Sequence, residues 1–280
     1  MKKHRTRTSG SFLLRHLLLL TFLVITAYPL LWMVLAAFRL EGDAQMRPLA
    51  LPTPWTWQNF AQVCRNGSFG DAYLNSLMLC SGSVLLSIAL AAPAAFAFAQ
   101  CRFRGRHALF MLFLLGMMIP VHVTLIPLNR LLGSGALNLK GSLWALVGPY
   151  VGFALPITML ILRGAFAALP RDLLDAGRID GCSTWGIFRH IAMPIARPAL
   201  ATVVIFNFLT MWNEFAFALT LLGPGQTTIP LALSQFKGEH DVQITLVSAA
   251  LSLVVVPLLI VYVFAQKHII RGLTAGAVKE

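Results

Sequence analysis

Six stretches of this chain are each long and apolar enough to exclude water along their whole length, and this repetition limits the fold more than any other feature. They run approximately from Phe12 to Phe38, Ala72 to Ala99, Ala108 to Leu132, Ser142 to Phe166, Ala199 to Leu222 and Ile244 to Ala265. A hydrocarbon core of about 30 Å takes roughly 20 apolar residues in a helix, so each stretch reads as a membrane span. The composition agrees: 58% of the 280 residues are hydrophobic and 11% charged, more apolar surface than a soluble core absorbs. The expected fold is all-α, a polytopic membrane helix bundle with about six transmembrane helices. No long soluble insert interrupts the runs, so residues 1–280 are expected to form a single transmembrane domain.

The first run begins like a secretory signal, but from Leu17 to Phe38 it outlasts the usual ~7–15 residue signal core, and no small-residue cleavage site follows. It is expected to be a retained span. Pro29, Pro93, Pro120, Pro127, Pro156 and Pro257 fall within spans, where each removes a backbone donor and is a candidate kink.

A net charge of +12 raises nucleic acid as a partner, but the basic residues fall between apolar runs without an aromatic-basic motif, so no nucleic acid is expected. Membrane topology accounts for them instead. With the N-terminus cytoplasmic, the inner segments hold 16 of the 22 Lys and Arg residues, and the outer ones hold Arg39, Arg47, Arg65, Arg130, Lys140 and Lys237. That is the bias of the positive-inside rule, and it places both termini in the cytoplasm. Trp55 and Trp57, in the long first outer loop, suit the outer interface, and the last outer loop, after Leu222, is short enough to fold back between helices.

The same topology places "LPRDLLDAGRIDGCSTWGIFRHIAMPIARP", Leu169 to Pro198, inside, between spans four and five. Pro170 suits a first helical turn, Asp172 and Asp175 its positive end, and Gly181 a stop. A second short helix follows from Ser183, with Pro194 and Pro198 ending it. The expected element is a helix, turn, helix at the cytoplasmic surface. Ala176, Gly177 and Gly181 would form its small-residue face, and Leu173, Leu174, Ile179, Trp185 and Phe188 would anchor it.

This order resembles the coupling motif of ATP-binding-cassette importer permeases of the carbohydrate-uptake, maltose-type branch, carried here by Asp175, Ala176, Gly177, Asp180, Gly181, Ile191 and Pro194. The similarity extends through "NSL" at Asn75 to Leu77, "IPVHVTLIPL" at Ile119 to Leu128, "WNEF" at Trp212 to Phe215 and "RGLTAGAVK" at Arg271 to Lys279. Asp175 stands where the family usually has glutamate, Gly177 and Cys182 where it has alanine, and Met193 where it has leucine. The resemblance implies a permease subunit, in a bacterial plasma membrane, that moves a sugar or sugar-like solute inward by alternating access. It implies as partners a second permease subunit, cytoplasmic ATP-binding subunits that grip the coupling helix, an external solute-binding protein and membrane lipid. No Gly-x-x-x-x-Gly-Lys-Ser/Thr loop is present, so ATP is expected in a partner and no cofactor in this chain.

For the solute path, Asn207, Thr210, Met211 and Glu214 share one face of the fifth span at offsets of three, four and seven, with Asn213 beside it. Two readings stand. The face lines the path, with Asn and ionised Glu hydrogen-bonding sugar hydroxyls, or it is polar glue between helices, with Arg130 a candidate counter-ion. An alternative function, a secondary transporter or channel acting without an ATPase, calls for more intramembrane charge or a paired broken-helix pattern. An enzyme calls for a nucleophile or metal constellation. The seven histidines and four cysteines are dispersed, with no His-Glu-x-x-His, Gly-x-Ser-x-Gly or Cys-x-x-Cys, so neither catalysis nor a metal is expected.

Overall fold

The computed structural model describes residues 9–65, 67–133, 138–235 and 243–277. The basic residues Lys2, Lys3, Arg5, Arg7, Lys237 and Lys279, and both chain ends, lie outside them. The described residues are helical, apart from loops and one isolated bridge between Gly141 and Leu222. In chain order the helices are α1 (Ser9–Ala37), α2 (Glu41–Met46), α3 (Gln58–Arg65), α4 (Gly67–Gln100), α5 (Arg106–Leu115), α6 (Val121–Gly133) and α7 (Trp144–Ala167). There follow α8 (Arg171–Ile179), α9 (Thr184–Ile187), a π-helical turn at Phe188–Ala192, α10 (Met193–Ile195), α11 (Arg197–Trp212), α12 (Ala216–Leu221), α13 (Ile229–Gln235) and α14 (Ile244–Ala277). They divide into two compact units, residues 1–66 with 235–255, and residues 67–234 with 256–280.

In the first unit, α1 carries leucines exposed to its surroundings, including Leu17, Leu18, Leu19 and Leu20, a surface suited to lipid. In the loop after it Arg39, though charged, is only 2% exposed. Its guanidinium pairs with Asp43 at 2.7 Å and donates to the carbonyls of Asp43, Arg47 and Pro48, so the buried charge is fully occupied. Glu41 accepts from the amides of Ile244 and Thr245 and from the Thr245 hydroxyl, capping α14 from a distant point of the chain.

In the second unit α4 packs most extensively on α7, and α11 packs on both. Among the described residues four helices, α1, α4, α7 and α14, are long and apolar enough to cross a membrane unbroken, and six spans are reached by counting two bent pairs. The third predicted span is one of these: α5 and α6 meet at 96°. Pro120 causes the break, since it has no N–H to continue the helix and forces Ile119 into an extended conformation with φ −78° and ψ 116°. The other prolines named above, Pro29, Pro93, Pro127, Pro156 and Pro257, lie inside helices that continue through them.

The fifth predicted span, Ala199 to Leu222, is not one helix either. Its membrane part α11 has 16 residues, about 24 Å at 1.5 Å each, and stops at Trp212 before the shorter α12 begins. The segment after Leu222 does fold back. The Asn75 amide donates to the Thr227 carbonyl at 3.1 Å, and the Ser76 hydroxyl accepts from the Ile229 amide at 2.9 Å.

Candidate functional site

The segment after α7 folds as the predicted helix, turn, helix. Pro170 precedes the first turn of α8, and Asp172 lies within it. The amide of Gly181 bonds the Arg178 carbonyl and that of Cys182 bonds Gly177, closing the end of the helix. This closure needs a left-handed residue, and Gly181 supplies it with φ +82°. The Ser183 hydroxyl accepts from the Gly186 amide at 3.1 Å and caps α9.

Three expectations about this segment are corrected. Gly177 does not share an outward face with Ala176 and Gly181. It is buried, and a Cβ placed on it would lie 2.6 Å from Ile191 Cδ1 and 3.5 Å from Ile187 Cγ1. Nor do all five apolar residues anchor the element. Leu174 and Phe188 are buried, whereas Leu173, Trp185 and Ile179 are exposed, Ile179 by 86%. The helical period explains both. Positions 174 and 177 turn inward together, and 172, 173, 176, 179 and 180 fall on the opposite side.

Pro194 does not end the second helix, which continues to Ile195 and stops at Ala196, ahead of Pro198. The widened π turn at Phe188–Ala192 lies immediately before Pro194, where an α-helical register would drive the proline ring into the carbonyl of His190. Within that turn Phe188 contacts Phe96 of α4 and Phe166 of α7, with ring centroids 5.4 and 6.1 Å apart. Such pairs contribute about 0.5–1.5 kcal/mol each beyond their area, so the element is held firmly on the spans. The residues that carry the motif resemblance therefore separate into an internal lock, Gly177 against Ile191, and an exposed set, Asp175, Ala176, Asp180, Gly181 and Pro194. Asp175 forms an exposed ion pair with Arg178.

The polar face of the fifth span is rearranged by the break after Trp212. Asn207 is buried and its amide donates to the Thr158 hydroxyl of α7 at 2.7 Å. Thr210 and Asn213 are exposed and return their donors to the carbonyls of Phe206 and Leu209. Glu214 lies beyond the helix that was expected to carry it. Its carboxylate accepts from the amides of Phe217 at 2.7 Å and Ala218 at 3.3 Å, and from the Tyr150 hydroxyl at 3.1 Å. Among the described residues Glu214 forms no ion pair with Arg130. Asn207, Thr210, Met211 and Glu214 nonetheless line one cavity of about 90 Å³ with Tyr150, Pro149 and Phe153, and Asn213 is not part of it. The cavity is smaller than the ~300–1,000 Å³ of pockets that enclose small molecules.

Sequence reasoning missed Tyr150 and Thr158, the partners of Glu214 and Asn207. The signal was present: positions 150, 154 and 158 repeat at intervals of four along α7, and two of the three carry hydroxyls. Among the described residues no group of His, Cys, Asp or Glu side chains is placed to hold a metal ion.

A membrane-spanning helical fold, broken spans and an ordered helix-turn-helix between spans define a transport permease. Residues 83–275 match the family described as the binding-protein-dependent transport system inner membrane component, and the chain belongs to that family. It is 32% identical over 93% of its length to the diacetylchitobiose uptake system permease protein NgcG of Streptomyces coelicolor, covering 87% of that protein. It is 31% identical over 91% of its length to the arabinooligosaccharides transport system permease protein AraQ of Halalkalibacterium halodurans, covering 92% of it. The fold matches a bacterial ABC transporter that imports the acidic polysaccharide alginate with a TM-score of 0.79, at 22% identity, over 96% of this chain and all of the other.

Proposed function

We propose that this permease carries a sugar or oligosaccharide inward as one of two permease subunits, acting as a single transport domain. An external binding protein delivers the solute and a pair of cytoplasmic ATPases drives the cycle. The uptake systems named for NgcG and AraQ support a carbohydrate as solute. A structural relative in complex with an alginate pentasaccharide-bound periplasmic protein supports delivery by a binding protein. Both termini and α8 face the cytoplasm in this reading, in keeping with the distribution of Lys and Arg.

The observation that carries the reading is the two-sidedness of the segment from Arg171 to Ile195. Its underside is buried, Leu174, Ile187 and Phe188 in the core with α4 and α7 and Gly177 against Ile187 and Ile191, while Ala176, Ile179, Asp180 and Gly181 are exposed. A rigid element with a free face suits a handle that passes the closure of an ATPase pair to the spans as a change between two discrete states. ATP binding and hydrolysis belong to the partner, and Asp180 contributes charge at the docking surface, with Asp175 at its edge and paired with Arg178.

Ile179→Asp tests the reading directly. The residue is 86% exposed, so folding and membrane insertion should stay within about 0.5 kcal/mol of wild type. Replacing this exposed apolar side chain by a charge within the docking surface should reduce ATP-driven uptake by about tenfold or more, at unchanged permease abundance. Unchanged uptake with this variant would remove α8 from the docking surface.

A further inference from the structure

Behind the exposed face of α8 lies a second surface of different character. A cleft of about 500 Å³ opens between the end of α4, the turn before α5 and α8, lined by Gln100, Arg102, Arg106, Arg171, Asp175 and Arg178 among others. It holds four guanidinium groups and one carboxylate, and that carboxylate is already paired, Asp175 with Arg178. Arg106 gives one donor to the Cys101 carbonyl at 3.1 Å. Among the described residues Arg102, Arg106 and Arg171 have no acidic partner. Three positive charges thus converge without an anion from the protein.

We infer that this cleft binds the phosphate headgroup of an anionic phospholipid. Guanidinium groups match phosphate oxygens in bidentate geometry, and basic pockets between membrane helices are suited to such headgroups. Position favours lipid over phosphate from solution. The Arg102–Arg106 turn directly follows the 33-residue apolar span that ends at Gln100. Exposed Phe103 in that turn, with exposed Leu109 and Leu112 on α5, continues apolar surface beside the charged cleft, as an acyl chain below its headgroup requires. Position also separates the cleft from ATPase docking. Positions 171, 174, 175 and 178 of α8 line it, whereas 172, 173, 176, 179 and 180 form the free side of the helix. A lipid held here would brace α8 against the start of α5. The inference rests on membrane placement, and on the proposed orientation only for the choice of leaflet.

The test uses the complete transporter, delipidated in detergent, titrated with dihexanoyl phosphatidylglycerol, dihexanoyl phosphatidylcholine or inorganic phosphate. Binding is read by calorimetry, and protection of the Arg102–Arg106 turn and of α8 by hydrogen exchange. Phosphatidylglycerol should bind and protect both segments, phosphatidylcholine should bind about tenfold more weakly, and added salt should weaken the first more than the second. R102Q/R171Q should lose about tenfold in phosphatidylglycerol affinity, with R104Q, whose side chain does not line the cleft, binding as wild type. Equal protection by inorganic phosphate would overturn the lipid assignment. So would unaltered binding by R102Q/R171Q, or binding to the permease pair alone that the ATPases abolish, which would give the cleft to the ATPase. ATP-driven uptake by the wild type is measured separately, so failure of the transport reading leaves the binding result standing.

Discussion

Gly177 is the position where packing beneath the proposed handle can be changed by a single atom. In Gly177→Ala the new Cβ would stand 2.6 Å from Ile191 Cδ1, about 1 Å inside the ordinary carbon–carbon separation of ~3.5–4.0 Å. The opposing atom is the end of a side chain, so Ile191 must leave its rotamer well or tilt, at about 0.5–1.5 kcal/mol. Alanine in a helix interior recovers roughly 0.8–1.0 kcal/mol over glycine. The two effects nearly cancel, and Gly177→Ala alone should change stability by less than about 1 kcal/mol. Ile191→Val removes the obstructing Cδ1 and should cost up to about 1.5 kcal/mol by itself. In the Ile191→Val background the alanine meets no such obstruction and should stabilise by nearly its full helical advantage. The coupling energy between the two sites is then about 0.5–1.5 kcal/mol in favour of the double variant. Thermal unfolding of the four proteins in nanodiscs, at fixed lipid and protein concentration, measures it. Strictly additive shifts would refute the claim that Gly177 and Ile191 form one lock, as would a Gly177→Ala protein several kcal/mol less stable than wild type.

Glu214→Gln keeps the side-chain shape but removes one oxygen from an acceptor of three donors, and should cost about 1–3 kcal/mol, with Tyr150→Phe costing about 0.5–1.5 kcal/mol. If Glu214 only joins helices, both variants should lower uptake in proportion to folded protein. If it also meets the solute, Glu214→Gln should raise KM for uptake beyond that proportion, and quantitative uptake on normalised protein separates these outcomes. Glu41 carries a pH prediction. Partial burial pushes its carboxyl up, but bonds from the Thr245 side chain and amide, from Gln45 and from the Ile244 amide together hold it below its ordinary value. A depressed folded pKa gives stability present above the unfolded carboxylate range and lost as pH falls through the folded value. Acid unfolding of wild type should therefore include a component that Glu41→Gln lacks, and superimposable pH profiles of the two proteins would contradict the capping role.

The membrane spans were legible because burial in lipid leaves a coarse, repeated mark, and so was the segment from Pro170 to Pro198, because caps and stops are local chemistry. The burial of Gly177 was not. Smallness alone does not say whether a residue admits an external partner or an internal one, and Ile191, 14 positions away, decides it only once the π turn sets the return path of the chain. Hydropathy also carried the fifth span straight through Asn213 and Glu214, since two polar residues barely lower the average of a long apolar window. The helix nevertheless stops there, where a carboxylate can satisfy the amides that the next helix leaves open.

The two interrupted spans are related by more than their interruption. Helix α12 packs on α6, the Asn129 amide of α6 donates to the Thr220 carbonyl of α12, and the Gly141 amide bonds the Leu221 carbonyl just beyond. Val121 at the start of α6 and Phe217 in α12 line the same cavity as Glu214. Irregular backbone at membrane depth is tolerated only where protein or a cavity takes up its polar groups. Here the protein takes them up: beyond the second break the Glu214 carboxylate accepts from the Phe217 and Ala218 amides, beside a cavity lined mainly by apolar side chains. The second break lies at the end of α11, which meets the helix-turn-helix segment at a 74° bend at Ala196. In the proposed reading a displacement of that segment would pass across this bend and along the 16 residues of α11 towards the cavity.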